Sequence, residues 1–256
     1  MRPRALLPLS LVLLTGCPKG EDPAALLAGA RQRLAARDTR LTSYVLEGSA
    51  QEGEQTMRFQ FAWRAPQKML GTLGAPLQRT WAWDGTRLVE RDDAARAFYT
   101  YQDDLTPERR VGALTALFNP FAPEGFRAPL LPGEGVSARR ATHALAPEAV
   151  ELTVRPPGSD VEVTYVLRWP AMDFLAKRMR SGADTSEVRV EAEHCEAALS
   201  LCVPRTLTQW AGGQRVAQTV LTRTELNPAL PAETFTLTPP AGYTVGQKTF
   251  AGEQTP

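Results

Sequence analysis

The chain has 256 residues, with 29 Lys+Arg against 28 Asp+Glu and 43% apolar residues. The charges are balanced and interspersed, with no basic stripe, which excludes nucleic acid as an expected partner. Ordinary apolar content speaks against disorder, and the length suits one large all-β domain or two small ones.

The chain opens MRPRALLPLSLVLLTGC, with two arginines before an apolar stretch from Ala5 to Leu14. As a helix this stretch rises about 15 Å, half of a ~30 Å hydrocarbon core, so it does not span a bilayer. A positive start, a short apolar middle and small residues before a boundary are the layout of a secretory signal peptide. Leu14-Thr15-Gly16-Cys17 resembles the lipobox of bacterial lipoproteins. That resemblance implies cleavage after residue 16 and acylation of the Cys17 thiol, with residues 17–22 as a tether to the membrane. An ordinary signal peptide that happens to hold a cysteine is the alternative. Pro18 and Lys19 stand where proteins retained at the inner membrane often carry aspartate, which points to the outer membrane facing the periplasm.

Asp22 and Pro23 can start a helix over 23–37, with Leu26, Leu27, Ala30 and Leu34 on one face. The apolar period then changes from 3.6 to 2. In TMRFQFAWR, Met57, Phe59, Phe61 and Trp63 alternate with Arg58, Gln60 and Arg64, giving one apolar face and one solvated one. TSYVLEGSAQ before it, and KMLGTL, QRTWAWDG, TRLVER and RAFYTYQ after it, continue an antiparallel meander with Asp84-Gly85 as a hairpin turn. Asp92-Asp93 and Asp103-Asp104 read as solvated strand ends. Thr106-Pro107-Glu108 starts a second helix over 105–118, with Val111, Leu114, Leu117 and Phe118 as its stripe. The proline-rich loop 119–135 carries Phe121, Phe126, Leu130 and Leu131, too many large apolar groups for a solvated loop, so it is expected to cover something hydrophobic. Strands resume from residue 149 to 226, and a polar tail is expected over 247–256. About eleven strands and two helices form one domain over 23–246, without repeats.

Catalytic signatures are missing: there is no G-x-S-x-G, H-E-x-x-H, P-loop or G-x-G-x-x-G. His143 and His194 are isolated and read as ordinary strand histidines. A non-enzyme without cofactor or metal is expected. With Cys17 set aside for lipid, Cys195 and Cys202 remain in a chain addressed to an oxidising compartment. A local disulfide is the natural reading, with free thiols or metal ligands beside it.

Pro204-Arg205-Thr206-Leu207, Gly212-Gly213-Gln214, Asn227-Pro228-Ala229-Leu230-Pro231, Phe235-Thr236-Leu237 and Pro239-Pro240-Ala241-Gly242 follow one another in an order that resembles the end of LolA-type periplasmic lipoprotein carriers. The front half, one helix followed by a long aromatic hairpin and Trp83-Asp84-Gly85, is similar too. Leu73-Gly74-Ala75-Pro76-Leu77 is similar to the apolar protruding loop of LolB, the membrane-anchored receptor of that fold. The resemblance implies a mainly β fold with some α: an incomplete, half-open antiparallel β-barrel covered by helices and a loop lid. It implies a cavity for acyl chains of lipoproteins or lipids lined by Met57, Phe59, Phe61, Trp63, Trp81 and Trp83. Leu114, Leu117, Phe118, Phe121, Phe126, Leu130 and Leu131 would serve as lid, and Leu73 and Leu77 as an apolar loop. It further implies a monomer at the membrane, served by a periplasmic carrier protein. A regulatory lipid-sensing module, or a structural envelope protein whose aromatics form a filled core, are the alternatives.

Overall fold

The computed structural model describes residues 21–102, 105–118, 121 and 123–250. The signal peptide, Cys17, most of the tether and Asp103-Asp104 lie outside the described residues. Helix α1 (Pro23–Thr39) is capped by Asp22, whose carboxylate accepts from the Ala24 N–H at 3.0 Å. The meander follows as β1 (Ser43–Glu52), β2 (Gln55–Arg64), β3 (Lys68–Leu73), β4 (Arg79–Trp83), β5 (Leu88–Asp92) and β6 (Ala97–Gln102). Helix α2 (Pro107–Phe118) separates these from β7 (Val136–His143), β8 (Ala146–Val154), β9 (Val161–Arg168), β10 (Phe174–Ser181), β11 (Asp184–Glu196), β12 (Leu201–Ala211) and β13 (Gln214–Leu226). The last strand is β14 (Thr244–Thr249).

All fourteen described strands form one sheet, ordered β14-β6-β5-β4-β3-β2-β1-β13-β12-β11-β10-β9-β8-β7. Every described pairing is antiparallel except β14 on β6. Strands β14 and β7 do not meet, so the barrel is incomplete and half-open. No described helix is long and apolar enough to cross a membrane.

The fourteen described strands exceed the expected eleven or so, and the two edge strands, β7 and β14, are among those not expected. An edge strand has one neighbour and little to bury, so β7 (VSARRATH) and β14 (TVGQKT) carry no strong apolar alternation. Residues 247–249, expected in a polar tail, pair with β6 instead, and Phe250 is buried against Tyr101 at 5.5 Å between ring centroids.

One face of the sheet carries two apolar clusters. Over β7 to β12, Leu26, Ala30 and Leu34 of α1 pack on Val150, Leu152, Leu167 and Leu207. Over β1 to β6, Leu114 and Phe118 of α2 join Phe121 and Phe126 on the aromatic strands. The opposite face of β2 to β6 is crossed by residues 228–243, with Phe235 buried and Leu237 on Ala82, Val89 and Phe98. This strap corrects the expectation of a solvated Arg64, whose guanidinium donates to the Leu230 carbonyl and lies 5.5 Å over the Phe235 ring. Arg58 is exposed as expected.

Asp92 also departs from a solvated turn. It is buried, accepts from Arg79 Nε at 3.0 Å and holds the Ala95 N–H at 2.8 Å. Asn227 joins the two ends of the domain. Its Oδ1 accepts from the Thr42 N–H at 2.8 Å, and its Nδ2 donates to the Arg40 carbonyl at 2.7 Å.

Cys195 and Cys202 face each other across β11 and β12 and are disulfide-bonded. The closed loop is short, so replacing both with serine is expected to lower stability by about 2–3 kcal/mol. A urea midpoint measures that cost. Two reactive thiols in the unreduced protein would show the bridge is not formed.

Candidate functional site

The aromatic face follows from alternation along β1, β2 and β4. Tyr44 and Leu46, Phe59, Phe61 and Trp63, and Trp81 and Trp83 all point to the side that α2 covers. Tyr44 stacks on Trp63 at 5.2 Å and 23°. Five of the six expected cavity residues are buried in this cluster, and Met57 is half-buried against it.

The cover supplies its own rings. Phe121 lies parallel to Phe61 at 6.2 Å and 9°, and contacts Trp81 at 5.6 Å and Phe118 at 6.0 Å. Gly71 makes room for it: a Cβ there would stand 2.9 Å from the Phe121 ring. Phe126 meets Tyr44 at 5.2 Å. The space between sheet and cover is thus occupied by Phe118, Phe121 and Phe126, which belong to the cover rather than to the sheet.

The remaining lid and loop candidates scatter. Leu117 packs partly on the aromatic cluster, and Leu131 partly on the α1 cluster. Leu130 is 91% exposed. Leu73 is in the core, so only Leu77, 43% exposed, stands out from the β3–β4 turn.

Polar groups enter the aromatic face in two places. The indole N–H groups of Trp81 and Trp83 are buried with no hydrogen-bond partner. Beside them, Glu90 pairs across the strands with Trp81, accepts from the Tyr101 hydroxyl at 2.7 Å and from Lys248 Nζ at 2.8 Å, and is fully buried. Lys248 thereby ties β14 to the interior.

The cover is hinged to α1 by a buried charge network. Arg37 donates to the carbonyls of Gly125 at 2.5 Å and Phe126 at 3.4 Å. Its Nε is 3.8 Å from Asp173, which also faces Arg168 at 3.6 Å and accepts from the Cys202 N–H at 3.1 Å. Burial pushes the Arg37 guanidinium below its ordinary pKa, against the attraction of Asp173. Burial likewise raises the Asp173 carboxyl, against the Cys202 N–H and the two arginines. Asp38 adds a bond from the Ala128 N–H at 3.0 Å, and Arg127 lies 4.3 Å over Trp63. Helical spacing puts Arg37 on the buried face, seven residues after Ala30, but a charged side chain there reads as solvated; nothing in the pattern points to Asp173. Tyr44 was not singled out either, although its place two residues before Leu46 on one strand face is a signal that could have found it.

Two hollows lie on the opposite face of the sheet. One of about 600 Å³ is lined by Glu47, Arg58, Gln60 and Thr72. The other, of about 720 Å³, crosses β7 to β12 and is lined by arginine, glutamate and hydroxyl side chains together with Met179 and Trp210. Among the described residues, no group of three or more His, Cys, Asp or Glu is placed to hold a metal. His143 accepts from the Leu145 N–H at 3.2 Å, and burial lowers its pKa.

No protein-family model matches the chain, and no curated protein matches its sequence. Solved structures do match it. A DUF1329 family protein from Desulfovibrio piger aligns with a TM-score of 0.54 at 9% identity, covering 82% of this chain and 97% of that one. A LolA superfamily protein from Nitrosomonas europaea aligns with a TM-score of 0.46 at 13% identity, covering 81% and 97%. MucB, in a complex with MucA, aligns at 0.30 and 13% identity, covering 85% of this chain and 60% of MucB. The likeness to the D. piger protein is one of fold alone, and the two lower scores add nothing to it.

Proposed function

We propose that this chain is a non-catalytic envelope lipoprotein that takes acyl chains of lipoproteins or lipids beneath α2 and the 121–131 loop. In this reading it helps their transport or insertion at the outer membrane, itself held there through Cys17 and served by a periplasmic carrier. The observation that supports it is the origin of the filling. Three of the phenylalanines that fill the concave face, Phe118, Phe121 and Phe126, sit on the cover.

Lifting the cover exposes those rings at about 1.5–3 kcal/mol each, or roughly 5–9 kcal/mol in all. An acyl chain of about sixteen carbons returns about 0.8 kcal/mol per methylene, on the order of 12 kcal/mol before its own ordering cost. Counted from water, one chain outweighs the three rings. The unpaired indole N–H groups of Trp81 and Trp83 offer donors to the ester or amide carbonyl at the head of such a chain.

The packing of Phe121 on Gly71, Phe61 and Trp81 favours a second reading, a structural protein with a permanently filled core. One experiment separates the two. Protein carrying Cys17→Ser, purified without detergent, is extracted and analysed for lipid by mass spectrometry, then titrated with a fatty-acyl quencher. Transport predicts recovered lipid and quenched tryptophan emission. Absence of both identifies the filled core.

A further inference from the structure

The 720 Å³ trough on the face opposite α1 is built in two layers. Side chains alternate along β8, so Val150 and Leu152 pack under α1 while Glu151 and Thr153 face the trough. Three carboxylates form its floor, and each is shared by two arginines. Glu151 takes Arg139 and Arg178, Glu187 takes Arg178 and Arg189, and Glu162 takes Arg155 and Arg180. The glutamate side chains are 8 to 20% exposed and the arginines 43 to 75%. The negative charge is therefore low and saturated, and the positive charge stands at the rim with donors to spare.

Partial burial opposes the charge of Glu187, yet the hydrogen bonds from Arg189 and Arg178 outweigh it and hold that carboxyl below its usual range. Arg189 is further fixed 4.6 Å over the Trp210 ring. Thr153 and Thr164 hydroxyls meet at 3.0 Å in the floor. A ladder meant only to join strands needs one arginine per glutamate. Here five arginines answer the three floor glutamates, with Glu191 as a fourth carboxylate beside Arg189, and neighbouring strands stand about 4.8 Å apart, so the remaining surplus is spread over roughly 19 Å from β7 to β11.

We propose that this trough binds a ligand bearing two or more phosphate groups. The guanidinium fork matches phosphate oxygens bidentately, and the glutamates hold the forks in place before the ligand arrives. The surplus charge and the length suit several linked phosphates better than one ion. The site is separate from the acyl-binding face and stands or falls without it.

Calorimetric titration of the full-length chain with inorganic tripolyphosphate, and with cardiolipin-containing against phosphatidylcholine vesicles, tests the site. Saturable binding to tripolyphosphate identifies a soluble source, and binding to the anionic vesicles alone a lipid headgroup. In either case Arg178→Ala is expected to weaken binding at least tenfold, and Arg180→Ala, at the exposed rim, severalfold. Circular dichroism confirms that each variant is folded. No saturable binding in either arm, equal binding by both variants, or equal binding of polyglutamate would overturn the proposal.

Discussion

Arg37→Met is expected to lower unfolding stability by about 3–5 kcal/mol, a loss far larger than its single position in α1 suggests. The arginine is buried, and its removal leaves the Asp173 carboxylate short of a partner and the Gly125 and Phe126 carbonyls without their donor. Breaking one side of a buried pair costs this much because the charge left behind has lost both water and its neighbour. Asp173→Asn also breaks the pair, but Arg37 keeps its bonds to the Gly125 and Phe126 carbonyls and the amide oxygen still accepts from the Cys202 N–H, so its loss is expected to be smaller. Denaturant unfolding of the two variants measures the difference. A loss below 1 kcal/mol for Arg37→Met would show that this network does not tie the loop to α1.

Phe121→Ala is expected to cost about 3–5 kcal/mol by the same measurement, the usual loss for a large ring removed from a packed interior. Phe61, Trp81 and Phe118 lose their shared neighbour, and the space above Gly71 empties. Stability and binding then move in opposite directions. The variant is less stable, yet it binds an acyl probe more tightly, because the probe no longer displaces the ring. A filled structural core predicts the loss of stability without the gain in affinity.

Much of the fold was legible because alternation is a strong signal wherever a strand has one dry face. Phe59, Phe61 and Trp63 lie where period 2 places them, and Phe121 and Phe126 are buried as their crowding in a proline-rich loop implied. The edges were not legible, because β7 and β14 bury little and their sequences have no reason to alternate. Arg64 and Asp92 were misread as solvated, since the strap over 228–243 and the cross-strand partner Arg79 come from distant or unpatterned positions. Leu130 shows the converse limit: an apolar residue in an apolar segment is still left 91% exposed. The charge network was invisible for a similar reason, since it joins residues 37, 125, 126, 168 and 173 through the fold rather than through spacing.

The half-barrel gives the acyl-binding account its shape, and the phenylalanine plug gives it a means of release. Titration of the Cys17→Ser protein and its Phe121→Ala form with a fatty-acyl quencher, read by tryptophan emission, tests that exchange most directly. The account predicts saturable quenching in the first and at least severalfold tighter quenching in the second. Unchanged emission in both, with each protein folded, would contradict it.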